Sequence, residues 1–119
     1  MKKLFKTLTV VFLISIILTL FTACAPSNVK EAETKLKNKG YSVIYAYETN
    51  ENGMLGAINA TKVKKGNANT IKAFLYKNSA TANKVKNNYK NLTSSTEKLI
   101  IAGSWVIIAT DGAYEDFIS

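Results

Sequence analysis

One cysteine, Cys24, closes a long apolar run, and no second cysteine exists in the 119 residues to pair with it. No intrachain disulfide can staple this chain, so whatever folds must be held by packing alone. The run spans Leu4 to Phe21, behind Met1-Lys2-Lys3 and ahead of Thr22-Ala23. A basic head, an apolar stretch and small residues before a cut form the pattern of an export signal, which is removed and adds nothing to the mature fold. The residues that must build a core are therefore those that follow it.

The segment Phe21-Thr22-Ala23-Cys24 resembles the lipobox of bacterial lipoproteins. That resemblance implies cleavage between Ala23 and Cys24, acylation of the Cys24 sulfur, and retention on a membrane with the domain facing away from the cytoplasm. It departs from the family pattern at Phe21, where Leu, Val or Ile is usual, and keeps the bulky apolar character. Two other readings stand beside it. Leu4 to Ala23 approaches the roughly 20 residues of a membrane-spanning helix, although Thr7, Thr9, Ser15, Thr19 and Thr22 dilute it. Ordinary cleavage at Ala25 is the other. The expected organisation is a signal peptide over 1–23, a lipidated tether over 24–27 and one domain over 28–119. From Cys24 onward 96 residues remain, enough for one small domain that buries about 60 to 70% of its unfolded surface.

Loss of Lys2, Lys3 and Lys6 with the signal lowers the net charge from +8 to +5, all of the positive charge being lysine. Without arginine the chain lacks the bidentate fork on which most sequence-specific phosphate and base recognition relies, so a nucleic-acid partner is not expected. Lysines keep such a domain soluble, and they favour anionic neighbours such as lipid head groups or cell-envelope polyanions.

Asn28 or Ser27 is positioned to cap a helix with Val29, Ala32 and Leu36 on one face. Glu31 and Glu33 lie in its first half, Lys35, Lys37 and Lys39 near its end, and Gly40 just beyond, the order the helix dipole and a left-handed stop favour. Tyr41 to Glu48 alternates Tyr41, Val43, Tyr45 and Tyr47 against Ser42, Ile44 and Ala46, which predicts a strand ending in a turn over Thr49–Gly53. Further strands are predicted over Leu55–Lys64 and Thr70–Tyr76, separated by residues 65–69, as a three-strand meander. Ala82, Val85, Tyr89 and Leu92 mark one face of a second helix capped by Asn78 or Ser79. Lys98–Ala102 and Trp105–Thr110 read as core strands joined tightly at Gly103-Ser104, and Asp111 as the cap of a short terminal helix. The order predicts an α+β fold, a mostly antiparallel sheet with helices on one face.

Chemistry is sparse. With no histidine, and with Cys24 assigned to the anchor, the commonest general base, the usual thiol nucleophile and most zinc sites are missing, so no enzyme activity and no cofactor are expected. Ser95-Thr96-Glu97-Lys98 spaces a serine and lysine suggestively but lacks the companion motifs of serine–lysine enzymes. Asp111, Glu115 and Asp116 would suit calcium by oxygen count, yet helix-end roles account for them and no metal is expected.

The aromatic residues offer the one candidate site. Strand periodicity places Tyr45 with Tyr47, and Phe74 with Tyr76, on single faces, where an open sheet would show a ring-lined patch to a partner; burial in the core is the alternative. Three or more exposed, contiguous rings would mark a binding face. The expected function is a membrane-anchored, non-catalytic binding or interaction module with a protein or anionic envelope partner. The alternative is a small-ligand carrier with a pocket between helix and sheet and Lys84 or Lys90 at its mouth.

Overall fold

The computed structural model describes residues 25–119. The elements run α1 (Val29–Asn38), β1 (Ser42–Glu51), β2 (Met54–Lys64), β3 (Asn67–Tyr76), α2 (Ser79–Val85), a 3-10 segment (Lys86–Leu92), β4 (Lys98–Ala102), β5 (Trp105–Ala109) and α3 (Asp111–Ile118). The fold is α+β, with one five-stranded sheet in the order β1-β2-β3-β5-β4 and every pairing antiparallel. The three-strand meander and the final hairpin thus meet where β5 pairs with β3.

Both ends of α1 follow from local chemistry. The Asn28 side chain accepts the Glu31 N–H at 2.8 Å, satisfying one of the orphan donors of a helix start. At the other end Lys39 is the cap, Gly40 sits at φ +91°, and the Tyr41 and Gly40 N–H groups donate to Leu36 and Lys37 carbonyls at 3.0 Å each. This is a Schellman stop, with buried Leu36 and Tyr41 as the hydrophobic pair that accompanies it.

The strands run longer than the sequence pattern suggests. Two-residue turns at Asn52-Gly53 and Lys65-Gly66, all four residues at positive φ, replace the predicted turns over 49–53 and 65–69. Asn67, Ala68 and Asn69 pair with Lys64, Val63 and Lys62. The alternation read for β1 needs correction too, because Val43 pairs with Ala60 and Tyr45 with Asn59, which leaves Ile44 as an extra residue. A bulge of this kind moves every later side chain to the opposite face. Val43 and Ala46 therefore pack on the main core with buried Tyr41, while Tyr45 and Tyr47 stand on the other side.

That main core lies between the sheet and α1 with α3. Leu36, Ile58, Ile71, Trp105, Ile107 and Phe117 are its largest fully buried members, and Trp105 meets Phe117 edge-on with ring centroids 5.0 Å apart. Helices cover one face as expected for α1 and α3, but α2 lies on the opposite face, where Ala82, Val85 and Tyr89 pack with Phe74, Tyr76, Leu99, Ile101 and Val106. The alternation within β5 explains this: Trp105, Ile107 and Ala109 serve one core and Val106 the other. A strand buried on both faces needs a layer on each.

The predicted second helix changes winding after Val85. Its second half is rich in asparagine, a poor helix former, and seven residues at 3.0 per turn carry Leu92 roughly 140° from its α-helical position. Leu92 is accordingly exposed rather than on the packing face. The cap of α3 is Thr110, not Asp111. The Thr110 hydroxyl instead accepts the Thr70 N–H at 3.1 Å, tying α3 to β3.

Within the expected tether over 24–27, Ala25 packs against the core and Pro26 is buried, while Ser27 is exposed. The Pro26 carbonyl accepts the Trp105 indole N–H at 2.7 Å. A buried indole N–H requires such a partner. Cys24, Ala23 and the predicted signal over 1–23 lie outside the described residues.

Candidate binding face

The face that carries α2 is only partly covered. Register places Tyr47, Ala57, Phe74, Val106 and Ile101 in one row across all five strands, and Tyr45, Asn59, Lys72, Ile108 and Leu99 in the next on the same side. α2 and the 3-10 segment pack over the β3, β5 and β4 part of those rows. Their cover stops short of β1, an edge strand, where Tyr45 and Tyr47 remain 38% and 46% exposed.

The tyrosines join a larger ring cluster. Tyr45 and Tyr47 lie 5.8 Å apart by centroid, and Tyr89 of the 3-10 segment stacks on Phe74 at 4.6 Å. The Tyr89 and Tyr76 hydroxyls share a hydrogen bond. Burial, that bond, and the charges that Tyr76, Tyr47 and Tyr45 would carry all raise the pKa of Tyr89. Burial, then the neighbouring Tyr47, raises that of Tyr45. Tyr45 and Tyr89 thus hold their protons more firmly, and a protonated phenol both donates and accepts hydrogen bonds beside its apolar ring.

Of the predicted site residues, Tyr45, Tyr47, Phe74 and Tyr76 are brought together. Two rings are exposed, short of the three that would mark a ring-lined binding face, so that expectation is not met; Phe74 and Tyr89 are half-buried, and Tyr41, Tyr76 and Trp105 are buried. The result is a narrow strip rather than a wide face. Tyr89 is the member that sequence reasoning left out of the site, because its helical spacing from Ala82 assigned it to packing, and it does both.

Lys84 and Lys90 are exposed on α2 and the 3-10 segment. From Lys77 to Thr96 the only charged residues are Lys77, Lys84, Lys86 and Lys90, with no carboxylate among them. Lys86 and Lys90, with Thr93 and Leu99, line a groove of about 420 Å³ that is open to solvent. Lys84 does not border it. Other lysines have structural work: Lys62 donates to the Lys39 carbonyl at 2.7 Å, Lys39 to the Asp116 carbonyl at 3.0 Å and to the Ser119 hydroxyl, and Lys98 pairs with Asp111 at 3.0 Å.

The remaining carboxylates are dispersed. Asp111 faces Lys98, and Asp116 accepts the Tyr41 hydroxyl at 2.7 Å; among the described residues no acidic group of three or more gathers for a metal ion. Ser95 is exposed in a turn. Burial raises the pKa of Glu97, but hydrogen bonds from Thr70 and Ser94 and the charge of Lys72 outweigh it and hold the carboxyl below its ordinary value. No helix among the described residues is long and apolar enough to cross a membrane. Compared with protein-family models, curated proteins and solved structures, the chain matches none.

Proposed function

We propose that this is an extracytoplasmic lipoprotein, anchored through acylated Cys24, whose domain is a non-catalytic module for binding an anionic component of the cell envelope. The observation that carries the binding reading is the exposed Tyr45–Tyr47 pair on the half-open face, on the same side of the sheet as a segment bearing lysines and no carboxylates. Tyrosine supplies rigid apolar area with a polar tip at low entropic cost, and an unbalanced lysine segment attracts polyanions through long-range charge. The lipobox-like residues support the anchor, and the absence of histidine and of any free thiol after Cys24 supports a non-catalytic role. The groove where Lys86 and Lys90 of the 3-10 segment meet Leu99 of β4 favours a second reading, a small anionic ligand carried at that open border.

Two measurements test the proposal. Fatty-acid labelling of producing cells should mark the protein and be lost in Cys24→Ala; label that survives the substitution ends the anchoring reading. The lipidated protein in detergent should co-sediment with isolated cell envelopes and lose that retention when phosphate polymers are stripped from them. Retention should also fall in the double variant Tyr45→Ala with Tyr47→Ala. Equal retention on stripped envelopes would remove the anionic partner.

A further inference from the structure

We infer that the domain is mounted on the bilayer without a linker, in a fixed orientation, through the hydrogen bond between the Trp105 indole and the Pro26 carbonyl. This rests on the anchoring reading and goes beyond it by naming the surface that meets the lipid. One end of the sheet gathers everything next to the anchor. The Tyr76 N–H donates to the Ser104 carbonyl and the Lys77 N–H to the Gly53 carbonyl, each at 2.9 Å, so the β1–β2 turn, the end of β3 and the β4–β5 turn converge there. Ala25, Pro26, Leu55, Lys77, Gly103 and Ser104 line a shallow pocket of about 260 Å³ at the same end.

Distance makes the argument. From Cys24 to Pro26 an extended chain spans at most about 7 Å, and Ala25, the residue between them, is itself packed on the core. An acylated sulfur sits at the lipid surface, so this end of the sheet lies against the head groups, with the Lys77 ammonium among them. The Lys65-Gly66 turn is at the opposite end of β2, about 34 Å away at the rise of an antiparallel strand. A free tether over 24–27 would let the domain swing and average these positions; a pinned Pro26 does not. Tyr47 and Tyr45, opposite Ala57 and Asn59, then stand about 10 and 17 Å along the strand from Met54 at the lipid-facing end.

The test uses the full lipidated protein in phosphatidylcholine vesicles that carry a spin label on a fraction of their head groups. A fluorophore is placed at Lys77→Cys in one sample and Lys64→Cys in another; once Cys24 is acylated, each variant has a single free thiol. Quenching should be several-fold stronger at position 77 than at 64, and equal quenching overturns the orientation. Trp105→Phe keeps a ring beside Phe117 and removes the N–H donor, and should narrow the difference; an unchanged difference in a folded variant overturns Trp105 as the latch. Protein that carries no lipid at all fails at the anchoring reading and takes this inference with it, which mass measurement of the purified protein distinguishes from lipidated protein that quenches equally.

Discussion

Trp105 acts twice, as the edge-on partner of Phe117 and as the donor that holds Pro26. Its replacement by phenylalanine leaves a buried carbonyl without its partner, a loss of about 1–3 kcal/mol, and urea denaturation should show a lower midpoint with an unchanged slope. Glu97 sets a different dependence. Its carboxyl titrates below the ordinary 4.5 in the folded chain, so the stability it contributes is present above that value and is lost as pH falls through the lower folded value. Glu97→Gln should flatten the acid side of a stability–pH curve measured from pH 6 downward, relative to the parent, and an equally steep curve would exclude this carboxyl as a source. Tyr41 works in the opposite direction. Burial, followed by its bond to Asp116, raises its pKa, so its contribution holds below pH 10 and fades only as the pH climbs through the folded value.

At the scale of elements, close approach decides where α1 can lie. A Cβ on Gly56 of β2 would strike Val29 of α1 and stand 2.5 Å from the Tyr47 carbonyl oxygen, so Gly56→Ala should cost about 1–3 kcal/mol through overpacking. Gly103→Ala meets nothing within 4 Å but sits at φ +59°, and its cost should be near 1 kcal/mol from backbone strain. Thermal melts of the pair separate the two causes: at about 4–8 °C per kcal/mol for a domain of this size, Gly56→Ala should melt lower. Element identity was largely legible in the residues. Asn28 and Gly40 delimit α1, and β4 and β5 fall on their two apolar runs. What misled was β1, where an unbroken period of two was read through Ile44. A bulge is made by the pairing with β2, not by the composition of β1, so nothing within Ser42–Glu51 announces that Tyr45 and Tyr47 change sides.

For the whole molecule, the Tyr45 and Tyr47 rings and the exposed Lys84 and Lys90 side chains lie on one side of the sheet, outside the packed core. Tyr45→Ala with Tyr47→Ala should leave the melting temperature within the shift of about 1 kcal/mol, since both rings are substantially exposed, while envelope retention falls. Retention should also weaken with salt, because screening shortens from about 8 Å at physiological ionic strength to about 3 Å at 1 M; a salt-independent interaction would point to the rings alone. The amino-acid order by itself determined the succession of elements, both ends of α1, the core hairpin of β4 and β5, and the surplus of lysine. Each of these is written in a few neighbouring residues, as a cap, a period or a charge. Only the tertiary structure decided that β5 inserts beside β3, that α2 lies opposite α1, that the tyrosines face outward, and that Pro26 is held by a tryptophan 79 positions along the chain. Those outcomes depend on which surfaces meet when the layers close, and contacts between residues so far apart leave no local period or spacing by which to be read.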